Sequence, residues 1–410
     1  MNYIFNNDDY KKRLLERFLR YVKVWTESDG AAADRGIFPS TKRQFDLARM
    51  LEDELKALGL EEVQVTDDCY VYGYMSGNVP AVPEPVEGGE GPLASPLLLL
   101  AHMDTVDEVS GKDVNPVLTA NGSDTIIRSD GTTLLGGDDK AGVAAIMCAL
   151  EYLHEHPEVE HCPVEVLFSP DEETGHGMDK VPLELIKSKC AYTVDGGDEG
   201  ELESECFNAW SAVVEFTGKA CHTGDAKKLG MINAGLMAGA YVSLLPDDML
   251  PETTEGYEGF IALMEMNATI EKATAQFLLR AFNIEEIEHE KELLQQNARE
   301  IERLFSGKVE VSFKQQYLNM KNELDKHPEV VKRLEKAYEL AGVQIIRKPI
   351  RGGTDGSRLT EMGIPTPNIF TGGHEFHSRN EWVSLNSMSK AADVLINIVA
   401  LRQAQGPRAE

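Results

Sequence analysis

Positive charge is scarce in this sequence. Lys and Arg together number 40 against 69 Asp and Glu, which gives a formal net charge of −29 at pH 7. A nucleic-acid backbone or an anionic membrane surface would repel such a chain, so we expect neither as a partner. The shortage of basic residues therefore excludes two classes of function and leaves the fold undetermined.

Long apolar runs and closely spaced cysteines are also missing. No window approaches the ~18 consecutive apolar residues of a membrane-spanning helix. The opening stretch MNYIFNNDDYKKRLLERFLRYV carries charges where a signal peptide would be apolar. The six cysteines are scattered without a CxxC pair. Scattered thiols favour a reducing compartment, so we expect a cytoplasmic protein.

What is present is the composition of an ordinary globular protein. The chain has 410 residues, of which 42% are apolar and 27% charged. This length exceeds what one hydrophobic core usually organises, which predicts two domains. Segment 76–96 is dense in Pro and Gly and is interpreted as a surface loop without chemistry, and the tail RQAQGPRAE is equally uninformative.

Three short, almost wholly apolar runs indicate buried strands. They are LLLLAH (97–102), VEVLFS (164–169) and AYTVD (191–195), and the run DKAGVAAIMCALEYLHEH between the first two predicts a helix. Alternation of strand and helix predicts an α/β domain with helices on both faces of a mixed sheet. Ligands of such sheets bind at the carboxyl ends of the strands, so the polar residues that end these runs should converge.

The pattern changes over residues 208–320. A strand, a helix, two strands, a helix and a strand follow one another there, the order of a small ferredoxin-like α+β domain. We therefore predict a discontinuous catalytic domain of residues 1–207 and 321–410. The segment 208–320 would be an inserted lid, through which a homodimer could also form.

Acidic and imidazole side chains gather at the predicted strand ends. They are His102, Asp104, Asp138, Asp139, Glu172, Glu173, Asp195, His374 and His377. Each alone has a simpler explanation: a histidine ending a strand is usually structural, an Asp before a helix is usually a cap, and acidic clusters are usually solvated.

Together these residues are harder to explain without a ligand. Several carboxylates at one edge of a sheet would repel one another in a medium of low dielectric constant. Divalent cations resolve that repulsion, and a mixture of carboxylate and imidazole ligands suits zinc, cobalt or manganese better than calcium or magnesium. The pattern therefore predicts a metal site beside a carboxylate that handles protons.

Five motifs together resemble a known family. The stretches AHMDT, GTTLLGGDDKAG, SPDEETG, YTVDGG and FTGGHEFH are similar to those of the zinc aminopeptidase and deacylase family, which includes aminoacylases and glutamate carboxypeptidases. The stretches TEGYEGF and IRGGTDGSRLTEMGIPTPNIFTGG resemble its tripeptide-aminopeptidase branch. The likeness runs roughly from residue 14 to residue 401, and it implies a zinc-exopeptidase fold for the catalytic domain.

The resemblance also implies a set of site residues and a cofactor. Two Zn²⁺ per subunit are expected, with Co²⁺ or Mn²⁺ as substitutes. The implied ligands are His102, Asp138, Glu173, Asp195 and His377. In this assignment Asp138 bridges the two ions, and His377 is preferred to His374 because it holds the family's position after the glycine pair. Glu172 matches the general base, and Asp104 matches the carboxylate that orients His102.

The inserted segment contributes the expected substrate contacts. By the same resemblance, His222 would stabilise the oxyanion and Arg280 would bind a substrate carboxylate. Arg351 and Asn233 are further candidates, although a structural ion pair explains Arg351 equally well.

The expected activity is release of the N-terminal residue from short peptides. Two alternatives stay open on the sequence: an amidohydrolase acting on dipeptides or N-acyl amino acids, and a metal-binding module without catalytic activity.

Overall fold

The structure is a computed structural model that describes residues 2–78 and 95–400. Its strands are β1 Glu61–Val65, β2 Val71–Met75, β3 Leu97–His102, β4 Val117–Asn121, β5 Asp124–Arg128, β6 Val164–Ser169, β7 Ala191–Gly196, β8 Glu201–Glu203, β9 Asn208–Thr217, β10 Phe260–Ala268, β11 Lys272–Ala281, β12 Lys308–Tyr317, β13 Ile346–Arg347, β14 Asn368–Phe370, β15 Gly373–His374 and β16 Trp382–Ser384. Its helices are α1 Asp8–Tyr21, α2 Gly30–Asp34, α3 Gln44–Ala57, α4 Gly137–Glu155, α5 Ala226–Leu229, α6 Ala234–Val242, α7 Ile284–Phe305, α8 Lys321–Leu324, α9 Pro328–Ala341, α10 Asp355–Glu361 and α11 Leu385–Val399.

The chain divides into two compact units. The first unit comprises the residues up to Ser204, Asn322–Lys348 and the residues from Thr354 onward. The second unit comprises Glu205–Lys321 and Pro349–Gly353. The expected role of the inserted segment as a lid or as a dimerisation domain stays a prediction.

An eight-stranded mixed sheet organises the first unit. Its strand order is β1-β2-β6-β3-β7-β14-β8-β13, and β3 pairs in parallel with both β6 and β7. All of β3 is buried because its side chains alternate between two cores. Leu97 and Leu99 lie in the core that also contains helices α1, α3, α4, α9 and α11, whereas Leu98 and Leu100 lie in a second core with Leu359 of α10. The predicted α/β domain with helices on both faces of a mixed sheet is thus confirmed.

A small antiparallel sheet in the same unit has no counterpart among the sequence predictions. Its order is β15-β16-β5-β4. Strand β4 is exposed along its whole length and β15 has only two residues, so neither carries an apolar run that would predict a strand. This sheet positions the segment that bears His377.

The second unit is built on a four-stranded antiparallel sheet and the helices α6 and α7. Its order is β10-β11-β9-β12, with α6 between β9 and β10 and α7 between β11 and β12. Alternate residues of β9, including Val214 and Phe216, pack with Phe277 of β11 and with Met237 and Leu294 of the helices. The expected ferredoxin-like order of elements is therefore present.

Two sequence interpretations concern residues that the structure leaves out. Most of the Pro/Gly segment 76–96, namely 79–94, lies outside the described residues, as does the tail 402–410. Within the described parts of the chain, no helix combines the length and apolar character needed to cross a membrane.

Candidate active site

The predicted site residues of the first unit gather at the carboxyl ends of three adjacent strands. His102 ends β3, Glu172 and Glu173 form a 3₁₀ turn after β6, and Asp195 lies near the end of β7. Since β6, β3 and β7 are neighbours and run parallel, their ends meet at one edge of the sheet. This is the convergence that the apolar runs predict.

Asp138 lies between two histidines. It stands at the start of α4, and its Oδ1 lies 3.0 Å from Nε2 of His102. Its Oδ2 lies 3.1 Å from Nε2 of His377, which belongs to the segment between β15 and β16. Each carboxylate oxygen of Asp138 thus faces a different imidazole. A carboxylate that joins two cations would have this arrangement.

The remaining carboxylates complete two donor groups. Asp195 Oδ1 lies 3.5 Å from Nε2 of His102, and Glu173 Oε2 lies 3.1 Å from Nε2 of His377. Donor atoms of His102, Glu172 and Asp195 lie within 4.8 Å of one another, as do those of His102, Asp138 and Glu173. Such clusters of nitrogen and oxygen donors fit divalent metal ions.

The electrostatics of the cluster point the same way. Burial raises the pKa of Glu173 to about 8 and that of Asp195 to about 6, each helped by the charge of Asp138. Burial alone would lower the pKa of His377, but its hydrogen bonds to the carboxylates of Asp138 and Glu173 raise it to about 11. The two acids hold their protons mainly because burial disfavours the charged carboxylate, and His377 holds its proton because two carboxylates face it. Divalent cations would supply positive charge to this cluster, so its donor groups fit a metal site.

The distinction between the two candidate histidines follows from their contacts. The ring of His374 stacks on that of Trp382 with centroids 3.7 Å apart, and its Nδ1 lies 2.6 Å from Asp198 Oδ1. His377 instead faces Asp138 and Glu173. The structure therefore brings His377 into the cluster.

Asp104 holds the turn that carries both glutamates. Its Oδ1 accepts the backbone N–H of Glu172 at 3.0 Å and its Oδ2 accepts that of Glu173 at 3.2 Å. Oδ1 also lies 3.3 Å from Nδ1 of His102. One fully buried carboxylate thus connects an imidazole of the cluster with the acidic turn.

Asp171 supports the same turn from the other side. Its backbone has a φ of +55°, in the left-handed region. Its carboxylate accepts the N–H and hydroxyl of Ser40, both at 2.5 Å, and the amide of Gln44 at 2.7 Å. Asp171, the first acid of the SPDEETG motif, therefore stabilises the conformation of this loop.

Several neighbours of the cluster are absent from the sequence predictions. Asn368 accepts the N–H of Asp195 at 3.0 Å and donates to Glu203 at 2.7 Å. Asp355 accepts the hydroxyl of Ser169 at 2.5 Å. No apolar run or spacing singles out these residues. Asp355 belongs to the quoted motif RGGTDG, which is the only signal that could have found it.

A further buried acid, Glu381, contacts the turn before α4. Its carboxylate accepts the backbone N–H groups of Leu135, Gly136 and Asp138. It lies four positions after His377 in the sequence SRNEW, and that proximity is the one available signal.

The predicted substrate contacts lie in the second unit. The His222 side chain is 79% exposed, and its Nδ1 accepts the N–H of Gly224 at 3.1 Å. Arg280 donates through Nη1 to the carbonyls of Leu279 at 3.0 Å and Trp210 at 3.3 Å.

The two further candidates have local structural contacts. Asn233 is the N-cap of α6 and accepts the N–H of Gly235 at 2.9 Å. Arg351 donates to the carbonyls of Gly256 and Glu258 at 2.9 and 2.8 Å, and to the hydroxyl of Thr254 at 3.0 Å. Among the described residues, the partners of Arg351 are thus backbone carbonyls and a hydroxyl rather than the carboxylate of an ion pair. Binding of substrate by either residue stays a prediction.

Residues 98–401 match the family described as Peptidase family M20/M25/M40. The chain belongs to this family. Peptidase T of Clostridium perfringens is 43% identical over 417 aligned positions, which cover 95% of this chain and 99% of that one. Peptidase T of Desulfitobacterium hafniense is 41% identical, with coverage of 95% and 98%.

Several solved structures share the fold. A tripeptidase from Staphylococcus aureus superposes with a TM-score of 0.77 at 22% identity, covering 95% of this chain and 98% of its own. Aminopeptidase PepT from Bacillus cereus gives 0.73 at 22% identity with the same coverage. The Bacillus subtilis YXEP protein, described as a dinuclear metal binding peptidase, gives 0.66 at 15% identity and covers 96% and 98%.

Proposed function

We propose that this M20-family chain is a metal-dependent aminopeptidase that removes the N-terminal residue of tripeptides. The observation that carries the proposal is Asp138, whose two carboxylate oxygens each face one imidazole. The similarity to Peptidase T over 95% of the chain supports the choice of substrate.

Two Zn²⁺ ions are the proposed cofactors. His102 and Asp195 would hold one ion, Glu173 and His377 the other, and Asp138 would bind both. Bound together, two such ions polarise the scissile carbonyl and lower the pKa of the attacking water. The mixed donor set of nitrogen and oxygen favours zinc, with cobalt or manganese as substitutes.

Glu172 is the proposed general base. It takes a proton from the attacking water and passes it to the amine that leaves. Its place supports this role, because its N–H is held by Asp104 and its carboxyl lies beside His102 and Asp195. Glu173, the next residue, faces His377 and is therefore the better ligand of the pair.

The proposed roles of the second unit rest on the sequence motifs. Arg280 would bind the terminal carboxylate of the peptide through its guanidinium. His222 would donate a hydrogen bond to the oxyanion. The high exposure of His222 leaves its ring accessible to a ligand.

A peptide panel combined with metal analysis tests the proposal. We expect about two divalent ions per chain, release of the N-terminal residue from free tripeptides, and loss of hydrolysis after chelation. N-acetylated tripeptides serve as the matched control and should resist cleavage. Preferential hydrolysis of dipeptides or N-acyl amino acids would instead identify an amidohydrolase. Metal binding without turnover of any substrate would identify a binding module.

A further inference from the structure

The carboxylate of Glu381 is enclosed by the turn that precedes α4. Glu381 is only 1% exposed. Its Oε2 accepts the backbone N–H of Leu135 at 2.8 Å and that of Gly136 at 2.9 Å, and its Oε1 accepts the N–H of Asp138 at 3.0 Å. Both oxygens of this buried carboxylate therefore accept hydrogen bonds from the backbone of the turn.

The sequence of this turn does not by itself restrict the backbone to one conformation. Gly136 and Gly137 follow one another in it, and Gly136 has a φ of +81°, where a side chain would be strained. Glycine allows this turn but leaves the backbone many other conformations. A Cβ on Gly137 would lie 2.6 Å from Cγ2 of Val383 and 3.0 Å from Oε1 of Glu381. The glycines therefore let the turn close around the carboxylate, and the carboxylate selects one of its conformations.

The third hydrogen bond that Glu381 accepts involves the proposed shared metal ligand. The N–H bound by Glu381 belongs to Asp138, whose carboxylate lies between His102 and His377. Fixing this amide fixes the backbone from which the Asp138 side chain extends. Glu381 also follows His377 by four residues, so it connects the segment of one imidazole with the carboxylate that this imidazole faces.

We propose that Glu381 is a positioning residue that sets the orientation of Asp138 for binding two metal ions. The inference rests on the proposed function only in assigning Asp138 as the shared ligand. Glu381 makes no contact with substrate in this role. It acts through the backbone, as the hydrogen-bonded neighbours of metal ligands commonly do.

Asp393 provides a matched control. It is a fully buried carboxylate in α11 of the same unit and also accepts three backbone N–H groups. These belong to Tyr3, Ile4 and Phe5, at 2.7, 2.6 and 3.2 Å. Asp393 thus resembles Glu381 in burial and hydrogen bonding but holds a segment that bears none of the proposed ligands.

The test compares Glu381→Gln with Asp393→Asn in the full chain. Each amide replaces one accepting oxygen with a donor that faces backbone N–H, so both variants should lose thermal stability when depleted of metal. Titration with Co²⁺, followed by visible absorption, should show binding about 10–100-fold weaker in Glu381→Gln, whereas Asp393→Asn should stay within about 2-fold of the unmodified protein. The cobalt spectrum should change only in Glu381→Gln.

Two outcomes would overturn the inference. The first is that Glu381→Gln binds Co²⁺ with unchanged affinity and spectrum. The second is that Asp393→Asn weakens Co²⁺ binding as much as Glu381→Gln does. If Glu381→Gln does not fold, Gly137→Ala offers a second route, because its methyl group would press on Val383 and on the Glu381 carboxylate and should weaken Co²⁺ binding in the same way. Unchanged binding by that variant would also count against the inference. The metal readout needs no turnover, so failure of the peptide panel alone would refute the proposed function and leave the positioning role intact.

Discussion

One carboxylate, that of Asp104, accepts the backbone N–H of Glu172 at 3.0 Å and lies 3.3 Å from Nδ1 of His102 with the same oxygen. The relationship places the proposed base and a proposed ligand on a common support. A shift of Asp104 would therefore displace both together. Supports of this kind fix the orientation of an imidazole and increase its basicity.

The first prediction concerns this support. Asp104→Asn replaces one accepting oxygen with an amide that faces a backbone N–H or the imidazole. We expect metal affinity or kcat/KM to fall about 10–100-fold, measured by Co²⁺ titration and tripeptide hydrolysis. Asp107→Asn is the control, since Asp107 is an exposed residue nearby that accepts one N–H, from Gly30 at 3.1 Å. Equal effects of the two variants would show that Asp104 has no special role.

The second prediction separates the two adjacent glutamates. Glu172→Gln cannot accept the proton of the attacking water, so kcat should fall at least ~10²–10⁴-fold while bound metal is retained. Glu173→Gln should instead lose metal, because it removes a charged partner of His377. Metal content per chain, measured beside kcat, distinguishes the two. If only the Glu172 variant lost metal, Glu172 would be the ligand and Glu173 the base.

The parts of the site that could be predicted are those carried by buried strands. His102 and Asp195 end runs so apolar that both faces of each strand must be covered, and parallel strands in one sheet bring their ends together. These two positions therefore follow from the sequence. His377 follows only from its motif, because it lies in a loop beside a two-residue strand that no periodicity predicts.

The supporting residues could not be predicted for a related reason. Glu381 and Asp138 are 243 positions apart, and Asn368 and Asp195 are 173 apart. A single polar residue that folds against a distant backbone amide leaves no periodic trace in the sequence. The small sheet of β4, β5, β15 and β16 was missed because β4 is exposed throughout. Such strands form because of their tertiary contacts rather than because of their own residue pattern.

The third prediction concerns recognition of the peptide's carboxyl end. If Arg280 binds the terminal carboxylate, tripeptide amides should show a higher KM than free tripeptides. Arg280→Ala should remove most of this difference, since the guanidinium no longer distinguishes a carboxylate from an amide. Lys314→Ala is the control, because this lysine also belongs to the sheet of the second unit. Equal hydrolysis of free and amidated tripeptides by the unmodified protein would exclude carboxylate recognition.

The last prediction uses Glu290, a buried acid of α7 that the proposed mechanism does not involve. It is 1% exposed, and its Oε2 has no hydrogen-bond partner among the described residues. Burial, with the charge of Glu286, raises its pKa to about 9. In the unfolded chain the same group should titrate near ~4.3.

The sign of the pH effect follows from these two values. Between about pH 4.3 and 9 the folded state binds more protons at Glu290 than the unfolded state, so this residue makes the free energy of unfolding fall as pH rises. Glu290→Gln removes this titration. The gain in Tm of the variant over the unmodified protein should therefore be larger at pH 8 than at pH 5. Each kcal/mol recovered corresponds to about 2–4 °C for domains of 150–250 residues. Glu288→Gln, at an exposed position of the same helix paired with Lys291 at 2.7 Å, should change Tm little at either pH. Thermal unfolding of metal-depleted protein measures the difference, and a gain independent of pH would show that Glu290 is already ionised in the folded state.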